Sequence, residues 1–243
     1  MSDGIKQNLK RWVRRCGLEV QRLKYSNSEA AVLRDVIRFL RPALVLDVGA
    51  NIGQFAGAVR EAGYRGRIVS FEAVPAIHAL LVDKARHDRQ WLIAPCAALG
   101  ARAGSIEINI SANAVSSSVL PMHAAHLDAA PQSAYVERRS VPLERLDAHA
   151  ADYIAADGDI FLKIDTQGYD MEVLKGSTAL LPRVTGLQIE LSLIPLYEGG
   201  PTLVEVLGYL DSLGYVPFNL IPGYKDLRNG RVLQVDGFFV RRR

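Results

Sequence analysis

The sequence predicts an α/β domain built on a mostly parallel, doubly wound sheet, with an antiparallel C-terminal strand and a helical N-terminal extension. Three observations carry this expectation. Strand-length apolar runs alternate with amphipathic helical stretches from residue 43 almost to the C-terminus. The first run breaks directly into a glycine-rich turn. No internal repeat or low-complexity linker interrupts the order. Such alternation buries parallel strands beneath helices on both faces, joined by right-handed crossovers.

The elements follow in order. Ile5, Leu9, Trp12, Val13, Cys16, Val20 and Leu23 recur at helical spacing with cations opposite, and a second helix spans Ser28 to Leu40, stopped by Pro42. These helices form an extension over residues 1–40, and residues 41–243 form the domain. Ala43 to Val48 is nearly all apolar, as a parallel strand covered on both faces requires. A helix over Gln54–Ala62, a strand over Arg67–Glu72, a helix over Pro75–Arg86 and a short strand over Trp91–Ala94 come next. Ser105 to Ser111 alternates Ile106, Ile108 and Ile110 with polar residues, the pattern of an edge or hairpin strand. Asn113 to Pro142 reads as a long loop, either a functional lid or a disordered segment. Regular alternation then resumes: strand Asp159–Asp165, helix Met171–Leu180, strand Gly186–Ser192, helix Pro201–Leu213, and strands Tyr215–Leu220 and Val235–Val240.

Composition narrows the class. The 243 residues are 49% hydrophobic and 23% charged, ordinary for a soluble globular chain. No run approaches the roughly 18 apolar residues of a spanning helix, and Met1 to Lys10 lacks the core of a secretory signal. Two cysteines, Cys16 and Cys96, form no disulfide framework and suit a reducing compartment, so a cytoplasmic location is expected. Net charge is +3, but residues 1–24 carry +5 and Arg241–Arg243 carry +3, leaving −5 between them. That distribution lacks a nucleic-acid footprint. The basic, apolar-striped N-terminal segment instead suits a packed or dimer helix, or contact with the inner face of a membrane.

Chemistry enters at Leu46-Asp47-Val48-Gly49-Ala50-Asn51-Ile52-Gly53. Gly49 permits a sharp turn and a close backbone approach to a ligand, and the helix beyond Gly53 presents unpaired N–H donors. Asp47, Gly49, Ala50, Asn51 and Gly53 are therefore candidate cofactor contacts, with Asp47 placed to hold a ligand ammonium. The spacing Gly-x-x-x-Gly differs from the Gly-x-Gly-x-x-Gly of dinucleotide folds, which disfavours an NAD-type oxidoreductase. Glu72 ends the next strand, where a carboxylate reaches ribose hydroxyls. An amino-acid end and a ribose end together describe S-adenosylmethionine. A tight turn packed for structural reasons alone is the bland alternative.

A second constellation is polar where central strands should be oily. Lys163 and Asp165 share one face of their strand, and Gln188, Glu190 and Ser192 share a face of the next. Buried charges are costly unless paired, so Lys163 should pair with Asp165, Glu190 or both.

Here the sequence resembles the FkbM family of methyltransferases. The features that match are Asp47 to Gly53, Phe71-Glu72, Ala98-Leu99-Gly100, the Ser116 to Ser118 run, Leu162-Lys163-Ile164-Asp165 with Gly168, Val173-Leu174-Lys175-Gly176, and Gln188-Ile189-Glu190. It departs in having Glu72-Ala73 for Glu-Pro and Gln167 where the family has Glu. The resemblance implies a Rossmann-like class I methyltransferase using S-adenosylmethionine to methylate a sugar or polyketide hydroxyl in glycolipid, polysaccharide or natural-product synthesis. A fold retained for binding without turnover is the non-enzymatic alternative.

Methyl transfer requires an aligned hydroxyl and a base to take its proton. Asp165 and Glu190 are the candidate bases, with Lys163 tuning their charge and His123 or His126 as alternates. Asn113, Ser116, Ser117, Ser118 and His123 are candidate substrate contacts. Asp165, Glu190 and Asp170 could also hold a divalent cation, although a metal is not expected from their spacing.

Overall fold

The computed structural model describes residues 11–13, 15–16, 28–154 and 158–242. Apart from a few residues around Trp12, the N-terminal apolar stripe falls outside them. Among the described residues no helix is long and apolar enough to cross a membrane.

Seven strands form the main sheet: β1 (Leu44–Val48), β2 (Arg67–Phe71), β3 (Trp91–Ile93), β7 (Ile160–Ile164), β8 (Val184–Ser192), β9 (Tyr215–Pro222) and β10 (Gln234–Arg241). Their order is β3-β2-β1-β7-β8-β10-β9. All neighbours run parallel except β10, which is antiparallel to both β8 and β9. The chain winds outward from β1 in one direction and then crosses to β7 on its other side. The two halves therefore diverge between β1 and β7, the position where open α/β sheets bind ligands at their strands' carboxyl ends.

Helices cover both faces. On one side α1 (Glu29–Leu40) and α2 (Gln54–Glu61) set Val32, Leu33, Val36, Phe55 and Val59 against Val45, Ile68, Phe161 and Phe238. Leu81 and Ala85 of α3 (Pro75–Ala85) join that layer. Thus α1, which the sequence grouped with the extension, packs directly on the sheet of the domain. On the other side α5 (Leu146–His149), α6 (Asp170–Lys175) and α7 (Leu203–Ser212) bury Leu146, Val173, Leu174, Val206 and Leu210 against Leu46, Leu162 and Ile189. A capping box between Thr202 and Glu205 starts α7.

The long loop expected over Asn113–Pro142 is only partly a loop. It contains α4 (Ala124–Ala129) and most of β6 (Tyr135–Glu144), which pairs with β5 (Gly104–Ser111) and with β4 (Ala98–Leu99) in a separate three-stranded sheet. This small sheet packs Val74, Ala98, Ile108, Val141 and Leu143 together beside the carboxyl ends of the main strands. The helix expected over Met171–Leu180 stops at Lys175.

Candidate active site

A cavity of about 370 Å³ opens at the carboxyl ends of β1, β2 and β7. The glycine turn forms one wall. Gly49 has φ +72°, and a Cβ there would fall 1.8 Å from the carbonyl oxygen of Asp165. The close approach that demands glycine is thus to the end of β7, and it draws Lys163 and Asp165 up to the turn. Gly53, with φ +79°, seats α2 against the indole of Trp91 and does not line the cavity. Ala50 and Asn51 do line it.

Glu72 is buried at the cavity wall. Its two oxygens accept from Asn51 N and Val74 N, each at 2.8 Å, which fixes the carboxyl beside the turn. Burial pushes its pKa up, against those hydrogen bonds and the Lys163 charge. Beyond it the wall is apolar, formed by Val74, Ala97, Ala98, Leu99 and Ile108. A carboxyl for hydroxyl groups beside an apolar slot for a flat ring fits a ribose bearing a purine, the chemistry of an adenosyl cofactor.

Asp47 does not meet the ligand space. It is fully buried beneath the turn, where Ser70 Oγ donates to Oδ2 at 3.0 Å and Lys163 Nζ lies 3.4 Å from Oδ1. Trp91 Nε1 donates in turn to Ser70 Oγ. Burial pushes the Asp47 carboxyl up, opposed by Lys163 and Ser70. The residue expected to grip an ammonium has found one, but it belongs to Lys163.

Lys163 faces Asp47 in register across β1 and β7. Its Nζ lies 3.4 Å from Asp165 Oδ2 and donates to the carbonyl oxygens of Gly49 (2.9 Å) and Val48 (3.4 Å). Burial acts to lower its pKa, but Asp165 and Asp47 outweigh it and hold the ammonium firmly charged. The expected pairing with Asp165 is present, whereas Glu190 acts on Lys163 only at longer range.

Asp165 borders the cavity with its side chain about one third exposed. Gln167 Nε2 donates to Asp165 Oδ1 at 2.7 Å and to Glu190 Oε2 at 3.2 Å, while Tyr197 O–H donates to Gln167 Oε1 at 2.5 Å. Gln167 itself sits at φ +54°. Its carboxamide therefore joins two carboxylates that would otherwise repel. Glu190 lies behind it, in a shallow recess with Gly168, Ser192 and Tyr197, and also accepts from Gln234 Nε2 at 2.9 Å. Burial together with Asp165, Asp170 and Asp236 raises its pKa well above the usual carboxylate range. A carboxyl whose ionisation is disfavoured by burial, and which stands away from the cavity, is poorly placed to be the base.

The other candidates divide. Ser117 and Ser118 line the cavity, and Ser118 Oγ donates to the carbonyl of Gln167 at 2.7 Å. Asn113 and Ser116 stand behind them: Asn113 Oδ1 accepts from Ser111 Oγ, Val115 N and Ser116 N and knots the loop, which Asn51 Nδ2 ties to the glycine turn through the carbonyl of Ala114. His123 lies off the cavity and caps α4 by accepting from Ala125 N. His126 is buried between the rings of Tyr197 and Tyr224. Asp170 closes its own turn by accepting from Thr166 and Gly168. Among the described residues no group of three or more His, Cys, Asp or Glu side chains is placed to hold a metal ion.

The sequence reading missed Glu29 and Asp236 at the far wall and did not single out Gln188 as a contact. Asp236 carried a weak signal, since it interrupts the apolar run of β10.

A doubly wound sheet in which the antiparallel β10 lies between β8 and β9, with a cavity at its switch point, is the architecture of class I methyltransferases. The sequence matches the Methyltransferase FkbM domain over residues 47–217, and the chain belongs to that family of S-adenosylmethionine-dependent methyltransferases. A putative O-methyltransferase from Klebsiella pneumoniae has a similar structure, with TM-score 0.50, 9% identity, and alignment over 100% of this chain and 92% of that one. That similarity shows the fold alone. Precorrin-6y C5,15-methyltransferase from Geobacter metallireducens GS-15 aligns with TM-score 0.47 at 12% identity, over 92% of this chain and 93% of its own. No curated protein matches the sequence.

Proposed function

We propose that the protein is an O-methyltransferase that carries a methyl group from S-adenosylmethionine to a hydroxyl of a sugar, with Asp165 as the base. The observation that carries this reading is the position of Asp165. Of the two expected carboxylates, it is the one that faces the cavity, at the end of β7 beside the glycine turn.

The cofactor, when bound, supplies an electrophilic methyl carbon. Glu72 would hold the ribose hydroxyls, and Val74 and Ala97 to Leu99 would enclose the base. An alcohol is a weak nucleophile until a base takes its proton. Asp165 accepts that proton at a carboxyl oxygen, and Gln167 and Lys163 fix the direction in which the carboxylate points. The loop over Ala114, Val115 and Ser117 to Val119 closes the cavity opposite and limits water. The sugar class follows from the family resemblance, and the polar far wall of the cavity suits a hydroxyl-rich acceptor.

The test is transfer of labelled methyl from S-adenosylmethionine to a panel of simple glycosides and phenols. Labelled methyl ethers on a glycoside support the reading. Labelling of phenols alone, or of nitrogen in an amino sugar, contradicts it.

A further inference from the structure

The cavity wall farthest from Glu72 carries a polar group that the reaction above does not use. Glu29 in the first turn of α1, Gln188 on β8 and Asp236 on β10 line it together. Gln188 is 3% exposed. Its Nε2 donates to Glu29 Oε1 at 3.3 Å, and the amide also favours the ionised form of Asp236.

The bond to Glu29 fixes the orientation of the amide. Ionised carboxylates only accept, so a flipped Gln188 would set its oxygen against Glu29 Oε1. The observed orientation leaves Gln188 Oε1 buried without a partner. A buried acceptor in that state is costly unless a water or a ligand donates to it. Lys163, the cation that acts on Asp236, is already engaged by Asp47, Asp165 and two carbonyl oxygens. Among the described residues the far wall thus presents the carboxylates of Glu29 and Asp236 beside an unpartnered Gln188 Oε1, and Lys163, its nearest cation, is already committed.

Position separates this wall from the cofactor contacts. Asp236 stands on β10, four strand intervals from β2 in the order β2-β1-β7-β8-β10. At about 4.8 Å per interval that is roughly 19 Å from the strand that Glu72 directly follows. Strands β8 and β10 carry none of the residues assigned to the cofactor.

We propose that Glu29, Gln188 and Asp236 recognise the acceptor through its hydrogen-bond donors. The enzyme would then take neutral or amine-bearing sugars and reject sugars with a carboxylate or phosphate at that end. The proposal rests on the methyltransferase reading above and adds the acceptor's charge class to it. A neutral diol or an ammonium supplies donors to all three acceptors. An anion meets two carboxylates, with no uncommitted cation among the described residues of this wall, and like charges placed together exclude the wrong ligand.

The experiment uses the full chain saturated with S-adenosylhomocysteine and three probes: methyl β-glucoside, methyl β-glucosaminide and methyl β-glucuronide. Saturation-transfer NMR reads their relative affinities. The expected result is binding of the first two and at least about tenfold weaker binding of the glucuronide. Glu29→Gln with Asp236→Asn should narrow that gap to within about threefold while S-adenosylhomocysteine affinity holds within about twofold. Glu29→Gln alone, at an exposed helix start, keeps the test usable if the double variant folds poorly, and should narrow the gap part way. Equal binding of all three probes, binding of none, or a gap that survives substitution overturns the proposal. So does a parallel loss of S-adenosylhomocysteine affinity, which would place these residues at the cofactor. A wild-type protein that fails to bind S-adenosylhomocysteine contradicts the methyltransferase reading instead.

Discussion

Lys163 reaches across from β7 to Asp47 on β1 and holds its Nζ 3.4 Å from that carboxylate. Asp47 is fully buried, with Ser70 as its other polar partner. Removing one member of a buried pair strands the other, typically at about 3–5 kcal/mol. Lys163→Met should therefore lower stability on that scale in urea unfolding, and Asp165→Asn, at a partly exposed position, should cost about 1 kcal/mol or less. Equal losses from the two variants would show that Lys163 is not organised around Asp47.

Asp165 and Glu190 can now be told apart by rate. Asp165→Asn should preserve cofactor affinity and slow methyl transfer by about 10²–10⁴. Glu190→Gln should slow it by roughly tenfold or less, since Glu190 acts through Gln167 and only positions Asp165. Single-turnover transfer of labelled methyl measures both. A larger loss from Glu190→Gln would return the base to that residue.

Gln167 donates to both carboxylates, so Gln167→Glu places a third acid between two. Like charges at hydrogen-bond distance cannot all ionise, and a shared proton should hold one of them neutral. The expected outcome is slower transfer at neutral pH, an acid-side limb of the pH–rate profile moved to higher pH, and unchanged cofactor affinity. An unaltered profile would mean that Gln167 does not position Asp165.

Asp236 gives stability a pH dependence of known sign. Burial, with Glu29 and Asp165 adding to it, raises its carboxyl from 3.8 to about 6. Between those values the folded protein binds more protons than the unfolded chain, so stability falls as pH rises through the window and levels off above it. Burial raises Asp47, Glu72, Asp170 and Glu190 in the same direction. Asp236→Asn should therefore raise Tm at pH 7 and flatten part of the decline between about pH 4 and 6. A decline of unchanged steepness would contradict this.

Much of the architecture was legible because short-range physics wrote it. The apolar run over residues 43–48 could only be a covered strand, and Gly49 and Gly53 marked the turn beyond it. β6 was not legible: Tyr135 to Ser140 faces water almost throughout, and Pro142 argues against a strand. The proline is tolerated because β4 pairs with β6 only at Leu143 and Glu144, leaving most of β6 an edge. Asp47 was placed at the right strand end, but a sequence does not show that Lys163, 116 positions later, would occupy it. Gln188 and Glu29, separated by 159 positions, likewise meet only through the packing of α1 on the sheet.

The most direct measurement is a calorimetric titration of S-adenosylmethionine into the wild-type protein and into Glu72→Gln, with NAD as the comparison ligand. Saturable one-to-one binding of S-adenosylmethionine and none of NAD is expected. Glu72→Gln should weaken the complex by roughly 10- to 150-fold, the cost of about 1.5–3 kcal/mol for a charge-assisted hydrogen bond. No binding to the wild type, or undiminished binding to a folded Glu72→Gln variant, would contradict the assignment of this cavity to an adenosyl cofactor.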